Sequence, residues 1–376
     1  MRKIMRTAIL FCSLFFIGLT VNVFSHPAWG VVVDQNRQIY FSDLETIYKI
    51  DLQGKLSIFR AGVSGRHVHD LSIDADGNLY GWENVYEPQT EKHLRAFWKM
   101  SPAREFTEIV SLTENPPSGM SIWRDAGGNT YSVEPWSNEK KTAKIIKRAV
   151  DGRTSVFAGG KYGYLDGRKK QAEFGAIVDM TFGKDGAIYL TDSNRVRKIG
   201  QDGIVKTIYS DELTAKNQKN SQAPSQLFGL DIDKENNVFA ADFANSRLLK
   251  INSGGAVSTF LTSDKDWSPI GVATFGDDVY VLEGRPLSAS THDGNRVLKV
   301  SKTGESTIVV NLEGRNKRAE NPNLNRGNLF SQDQENVAAN VNPVSLKTGA
   351  ISLGFYGIIG ALSIAFFALI IFVKKK

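Results

Sequence analysis

The chain has 376 residues, with 46 Lys and Arg against 40 Asp and Glu, for a formal charge of +6 at pH 7. Three basic residues near the N-terminus and three at the C-terminus account for this excess, so the chain between them is neutral. A nucleic-acid binder needs a clustered basic face, and this composition gives no sign of one. The length suits one large all-β domain or two smaller domains.

The first 25 residues have the pattern of a secretory signal peptide. A basic start precedes an apolar run from Ala8 to Phe24, and Val23 and Ser25 are small enough for a cleavage site. We expect residues 1–25 to be removed on export; the alternative is an uncleaved anchor. The single cysteine, Cys12, lies in this segment, so the exported body would have no disulfide and would depend on its core for stability.

Residues 26–312 contain six copies of one pattern of four short apolar segments separated by turns. The second segment of every copy carries an aromatic residue, and the six recur at intervals of 40 to 58 residues: Tyr40, Tyr80, Tyr131, Tyr189, Phe239 and Tyr280. A lone four-stranded sheet cannot bury both faces, whereas six sheets around an axis bury their faces against each other. The pattern predicts an all-β fold, a six-bladed β-propeller over residues 26–312.

Two charged residues recur in every copy. An acid stands three residues after each aromatic: Asp43, Glu83, Glu134, Asp192, Asp242 and Glu283. A catalytic site needs asymmetry, and six equivalent carboxylates have none, so we interpret them as structural groups that bind backbone amides of the next turn. A lysine recurs in the third segment, which we expect to be a solvated outer strand: Lys49, Lys99, Lys147, Lys198, Lys250 and Lys299.

The fourth copy resembles the NHL repeat. Residues 158–208 contain the lead-in AGG…DG…AEF, the core IYLTDSNRVRKI and the closing DG of that repeat, and residues 227–251 are a good second copy. The looser copies are equally similar to gluconolactonase-like propellers. The resemblance covers about three quarters of the chain. It implies the propeller independently, but such propellers include scaffolds, receptors, lactonases and lyases.

Aligning the copies on their first strand gives a column where the innermost strand begins: Gly30, Asp70, Gly119, Asp179, Gly229 and Gly271. The two aspartates are therefore expected near the axis. All five histidines map to the same side of the ring, in or beside the first, second and sixth blades: His26, His67, His69, His93 and His292. We call this side the histidine face. Ordinary loop histidines are the alternative to a site.

Four of these residues are the candidate catalytic and metal-binding group: His67, His69, Asp70 and Asp179. Imidazole and carboxylate are common metal ligands, so this group is expected to suit one divalent cation, Zn²⁺ or Ca²⁺, if the side chains converge. Gluconolactonase-like enzymes bind a divalent metal at the axis through acids and asparagines on inner strands, and Asp70 and Asp179 stand at comparable positions. The glutamate that such enzymes carry at the start of the first blade is missing here, where the chain reads HPAWG.

The histidine face is also a candidate binding surface, because aromatic side chains there suit contact with a sugar or a protein. The candidate binding residues are His93, His292, Trp82 and Trp136. Core packing is the alternative for Trp82.

After the propeller, residues 313–347 are polar and asparagine-rich, which is typical of a flexible stalk. Residues 348–373 are apolar and long enough to span a hydrocarbon core of about 30 Å as a transmembrane helix. Residues 374–376, KKK, fit a cytoplasmic stop. The expected location is therefore membrane-anchored, with the body outside the cytoplasm, in the periplasm or at the cell surface. A cleaved sorting tag is the alternative for the C-terminal segment.

Two functions follow from these features. The first is a membrane-anchored propeller that binds a protein, peptide or glycan ligand on the histidine face. The second is a metal-dependent hydrolase of the lactonase type, or a lyase, with its site at the axis of that face. The convergence of His67 or His69 with Asp70 and Asp179 would favour the enzyme.

Overall fold

The computed structural model describes residues 27–134, 143–211, 224–288 and 291–313. These residues form six antiparallel sheets, and each sheet uses strands that are consecutive in the chain. The inner strands of neighbouring sheets contact each other around an axis. The predicted all-β, six-bladed β-propeller is therefore confirmed.

The first three blades follow the chain from Val31. Blade 1 contains β1 (Val31–Val33), β2 (Ile39–Ser42), β3 (Ile47–Ile50) and β4 (Leu56–Arg60). Blade 2 contains β5 (His67–Ile73), β6 (Leu79–Glu87), β7 (Lys92–Met100) and β8 (Phe106–Thr113). Blade 3 contains only β9 (Thr130–Glu134), β10 (Lys144–Arg148) and β11 (Thr154–Gly159).

The last three blades include one sheet of five strands. Blade 4 contains β12 (Gly167–Arg168), β13 (Ile177–Phe182), β14 (Ile188–Asp192), β15 (Arg195–Ile199) and β16 (Ile204–Ser210). Blade 5 contains β17 (Leu227–Ile232), β18 (Val238–Asp242), β19 (Arg247–Ile251) and β20 (Val257–Thr262), with a 3-10 turn at Phe243–Asn245. Blade 6 contains β21 (Ser268–Phe275), β22 (Asp278–Ser288), β23 (Thr291–Val300) and β24 (Ser306–Asn311).

The inner segment of blade 3 forms a short bridge instead of a regular strand. Arg124 bridges Thr130, and the Tyr131 amide donates to the Trp123 carbonyl at 3.0 Å. Because Ser72 pairs with Tyr80 in the same way in blade 2, the position equivalent to Asp70 is Ser121. The sequence alignment that placed Gly119 there was wrong by two residues. Gly119 is a glycine for another reason, since its φ of +74° lies in the left-handed region.

The repeated lysines are half-buried instead of freely solvated. Each lies opposite the aromatic of the neighbouring strand, and five ammonium groups stand 5.0–5.9 Å from the ring centroids. In four blades the tyrosine hydroxyl on the same ring donates to an aspartate of the adjacent turn, as Tyr131 does to Asp125 at 2.9 Å. The lysine and aspartate therefore enclose the aromatic ring in the repeat.

Close backbone approach brings blades 5, 6, 1 and 2 together at the axis. A Cβ on Gly229 would lie 2.9 Å from Gly271, one on Gly271 would lie 2.1 Å from the Trp29 carbonyl, and one on Gly30 would lie 2.8 Å from the Leu71 amide. Only glycine permits this approach. The ring closes between blade 6 and blade 1 through these inner strands, and all four strands of blade 6 come from the C-terminal part of the propeller.

The expected signal peptide (1–25), transmembrane helix (348–373) and basic stop (374–376) lie outside the described residues, as does the stalk from residue 314. Within the described ranges, no helix has the length and hydropathy needed to cross a membrane.

Candidate functional site

The repeated acids bind turns, loops and arginines of the scaffold, mostly within their own blade. Asp43 accepts a hydrogen bond from the Thr46 amide of its own turn at 2.8 Å. Glu134 and Asp192 instead bind amides of the loop that enters their own blade, at Gly119 (3.0 Å) and Gly175 (2.8 Å). The predicted partner, an amide of the following turn, is therefore correct for Asp43. Glu134 and Asp192 instead bind an amide of the loop before the inner strand.

Arginines compensate the charge of most of these buried acids. Arg197 donates to Asp192 at 2.9 Å, and both side chains are fully buried. The other arginine partners are Arg247 for Asp242, Arg296 for Glu283, and Arg60 with Arg66 for Glu83. Burial still raises the pKa of Asp192 to about 6, although Arg197 acts to lower it. These arginines were not predicted: Arg197 and Arg247 each follow their acid by five residues, whereas the partners of Glu83 and Glu283 have no common spacing.

The two axial aspartates bind neutral donors instead. Asp70 accepts from the Leu71 amide at 2.7 Å and from the Trp123 indole of blade 3 at 3.0 Å. Asp179 accepts from the Met180 amide at 2.7 Å and from the Leu230 amide of blade 5 at 2.8 Å. Each carboxylate thus connects its own inner strand to the next blade.

Burial without a counter-charge raises the pKa of both carboxyls. Burial raises the pKa of Asp70 to about 6, while the hydrogen bonds from Leu71 and Trp123 oppose the shift. Burial, together with the charge of Asp70, raises the pKa of Asp179 well above its usual range. The aspartates of blades 2 and 4 therefore lie close enough to disfavour two negative charges on the pair.

A stack of aromatic rings crosses the histidine face at the axis. His69 of blade 2 lies between Trp82 and Trp29, at ring-centroid distances of 5.7 and 5.5 Å. Trp29 of blade 1 in turn stacks on Phe228 of blade 5 at 5.9 Å. Rings from blades 1, 2 and 5 therefore meet at this end of the axis. We call the four rings Trp82, His69, Trp29 and Phe228 the axial stack.

The axial stack was not predicted as a unit. Trp29 and Phe228 each stand directly before a glycine of the axial column, in HPAWG and LFGL. His69 likewise stands directly before Asp70 of that column. An aromatic residue at that position was the available signal. The sequence does not show that these aromatic residues meet, because their contact depends on closure of the ring, which brings blades 1 and 5 close together at the axis on either side of blade 6.

The four residues of the candidate metal site do not form one cluster. His67 meets only the edge of His69, with ring centroids 5.9 Å apart and planes at 83°. Both oxygens of Asp70 and both oxygens of Asp179 already accept N–H donors. Among the described residues, no three His, Cys, Asp or Glu side chains are arranged to hold a metal ion.

Two of the remaining binding candidates, His93 and His292, lie on long hairpins. His93 is exposed in β7, where its ring lies 5.0 Å from that of the exposed Tyr86. His292 lies in β23, opposite Pro286. Trp82 is half-buried in the axial stack, while Trp136 and His26 lie outside the described residues.

These two hairpins extend further than the equivalent strands of other blades on the histidine face. In blade 2, β6 continues from Glu83 to Glu87, and in blade 6, β22 continues from Glu283 to Ser288. The equivalent strands of blades 1, 4 and 5 end at or before their acid. Four extra residues of strand add about 13 Å. Blade 1 therefore lies between two longer hairpins on this face, and we call the surface formed by blade 1 and these two hairpins the blade 1 cleft.

No protein-family model and no curated protein matches the chain. Among solved structures, it is similar to virginiamycin B lyase from Staphylococcus aureus at 14% identity and a TM-score of 0.43, covering 74% of this chain and 92% of that chain. A gluconolactonase from Xanthomonas campestris has 10% identity and a TM-score of 0.45, over 69% and 84% of the two chains. The PQQ-bound aldose sugar dehydrogenase from Streptomyces coelicolor has 12% identity and a TM-score of 0.46, over 69% and 89%. The fold rests on the six sheets themselves, and no function transfers at these similarities.

Proposed function

We propose that this chain is an exported, membrane-anchored propeller that binds a protein, peptide or glycan ligand on its histidine face, in the blade 1 cleft. The axial stack is the observation that carries the proposal. It places packed aromatic rings at the axis, with His69 and Phe228 buried, so the longer hairpins of blades 2 and 6 are the part of this face that extends furthest into solvent.

The exposed aromatic pair of the blade 2 hairpin supports a ligand on the histidine face. Tyr86 is 48% exposed and lies against the exposed His93, on the side of the sheet that Tyr80 and Trp82 turn towards blade 3. Tyrosine offers a large contact area and a hydroxyl with little loss of side-chain entropy on binding. His292 stands on the facing hairpin of blade 6. Export and anchoring are supported by the sequence pattern of residues 1–25 and 348–373.

A metal-dependent hydrolase of the lactonase type, or a lyase, is the second candidate. One observation favours it: the pKa of both Asp70 and Asp179 is raised by burial, and such groups concentrate at active sites. Those carboxylates would be the catalytic candidates, with His67 and His69 beside them. This candidate would need the axial stack to open and ligands beyond the described residues.

Arrays of glycans and peptides, probed with the detergent-solubilised full chain, test the first candidate. The double variant Tyr86→Ser, His93→Ala should lose at least about tenfold in affinity for any ligand that the wild type binds. Ile58→Ser is the matched control, because Ile58 is 54% exposed on the outer strand of blade 1. Unchanged binding by the double variant would contradict a ligand site on the blade 2 hairpin. Lactone hydrolysis by the wild type that Asp179→Asn abolishes would favour the enzyme instead.

A further inference from the structure

The loop between blades 3 and 4 presents an exposed aromatic patch. Tyr162, Tyr164 and Leu165 are 43%, 38% and 54% exposed. In the described part of the chain after Leu165, no large hydrophobic side chain is comparably exposed. Three such residues within four positions are unusual for a solvated loop, because exposed apolar side chains are normally scattered. We call these three side chains the tyrosine patch.

The tyrosine patch is held rigidly from below. The Tyr164 hydroxyl lies 3.2 Å from the Ser193 hydroxyl, and the Arg195 guanidinium lies over the Tyr164 ring at 4.0 Å. A Cβ on Gly175 would come within 2.5 Å of the ring, so the ring lies directly against the backbone there. Exposed aromatic rings that are already fixed lose little entropy when a partner binds them.

Buried interactions anchor the same loop to blade 4. Fully buried Arg197 donates to the Leu165 carbonyl at 3.0 Å and to Asp166 at 2.9 Å. Asp166 also accepts from the Thr207 amide at 2.8 Å. Arg197, which forms the buried ion pair with Asp192, therefore holds this loop in place, and the tyrosine patch is an ordered part of the fold.

The loop that carries the patch has a net positive charge. Lys161, Arg168 and Lys170 are exposed on this loop, and none of them forms an ion pair with another described residue. Its two acids are Asp166, which shares Arg197 with Asp192, and Glu173, whose carboxylate lies beside Gly163 between the two tyrosines. Residues 160–175 contain four basic and two acidic residues, so an approaching partner would meet net positive charge beside aromatic rings.

We infer that the tyrosine patch is a docking site for an acidic peptide segment that also carries apolar side chains. Tyrosine and arginine are the residues that most often dominate protein interfaces, and the patch combines two tyrosines with Arg195. The free cations would steer and orient an acidic partner. The patch lies on the rim at blade 4 and the cleft at blade 1, so either site can fail without the other.

Fluorescence anisotropy with defined peptides tests this inference on the full chain in detergent. A labelled peptide of repeated Glu-Glu-Leu triplets should bind, whereas repeats of Lys-Lys-Leu or Glu-Glu-Ser should bind at least about tenfold more weakly. Binding should weaken as salt is raised, because exposed charges are screened. Equal binding of the Glu-Glu-Leu and Glu-Glu-Ser peptides would overturn the role of the tyrosine patch, and no binding of either would overturn the inference.

Variants separate the patch from general electrostatics. Tyr162→Ser with Leu165→Ser should weaken Glu-Glu-Leu binding about tenfold or more, and Lys161→Glu should reduce its salt dependence. Val150→Ser is the matched control, because Val150 is 74% exposed in a turn of blade 3 and should bind as the wild type does. Thermal unfolding of each variant shows whether the fold is kept. Wild-type affinity in a folded Tyr162→Ser, Leu165→Ser protein would overturn the inference, as would stronger binding to the anionic polysaccharide heparin than to the peptide.

Discussion

The propeller contains two sets of buried acids, the strand acids of the repeat and the axial aspartates, and they differ in what surrounds them. Asp192 faces Arg197 across 2.9 Å, and most other strand acids have an arginine as well. Asp70 and Asp179 face only N–H donors without charge. Both sets nevertheless include a carboxyl whose pKa is raised to about 6, namely Asp192 and Asp70.

A raised pKa therefore does not by itself separate the two sets of acids, whereas the charge of their neighbours does. A strand acid and its arginine form a closed pair, and removal of one partner leaves an isolated buried charge. The axial aspartates have no cationic partner, so a carboxyl of this pair binds a proton more readily and the charge of the pair depends on pH. The following changes test this difference, beginning with the largest effect.

Removal of the arginine from a strand acid should be the most damaging change. Arg197→Met would leave Asp192 buried without a counter-charge and the Leu165 carbonyl without its donor. We expect the free energy of unfolding to fall by about 3–5 kcal/mol. Urea unfolding measures it. Arg153→Met is the control, because Arg153 and its partner Asp151 are exposed, and it should change stability little; a similar small loss in Arg197→Met would contradict the scaffold role.

Removal of the central ring of the axial stack should come next. Trp29→Ala deletes the side chain that contacts both His69 and Phe228, and we expect a loss of about 3 kcal/mol in unfolding free energy. Trp29→Phe keeps a stacked ring and should recover most of that loss. Acrylamide quenching of the remaining tryptophans should increase in Trp29→Ala alone. Unchanged acrylamide quenching would show that the Trp29 side chain does not shield the other tryptophans from solvent.

The pH dependence of stability should reveal the axial pair. The pKa of Asp70 is raised from 3.8 to about 6, so its contribution to stability is present below 3.8 and is lost as pH rises through about 6. Asp70→Asn removes this titration, so the stability advantage of the wild type should shrink over that window by on the order of 2 kcal/mol. Urea unfolding at several pH values measures it. A constant difference between the two proteins would contradict the shifted pKa.

The smallest effect on stability is expected in the blade 1 cleft. Tyr86 and His93 are exposed, so Tyr86→Ser with His93→Ala should change the free energy of unfolding by no more than about 0.5 kcal/mol. The same variant should lose ligand binding. A large loss of stability, measured by urea unfolding, would mean that the aromatic pair supports the hairpin instead of serving a ligand.

The repeat made the fold predictable, because local signals recur in every blade. The aromatic and acid of the second strand, the turn glycines and the glycines at the axis each identify a strand or turn without long-range information. The exception is blade 3, where Ser121 and not Gly119 occupies the axial column. A glycine required for its positive φ was mistaken there for the residue at the start of the inner strand.

The candidate site was less predictable, because its contacts join distant parts of the chain. Trp29 and Phe228 meet only because the ring closes, and Arg197 reaches Asp166 and Leu165 through a loop of irregular structure. The sequence placed Asp70 and Asp179 near one axis, which their mutual effect on pKa supports. It could not show that amides and an indole already occupy their oxygens.

Elemental analysis of the full chain, purified without chelator, tests the choice between a rim-binding propeller and an axial metal enzyme most directly. We expect no stoichiometric divalent metal, because all four carboxylate oxygens of Asp70 and Asp179 already accept N–H donors. The double variants His67→Ala, His69→Ala and Asp70→Asn, Asp179→Asn should then match the wild type. About one equivalent of zinc or calcium in the wild type, lost in either double variant, would contradict the account and establish the axis as a metal site.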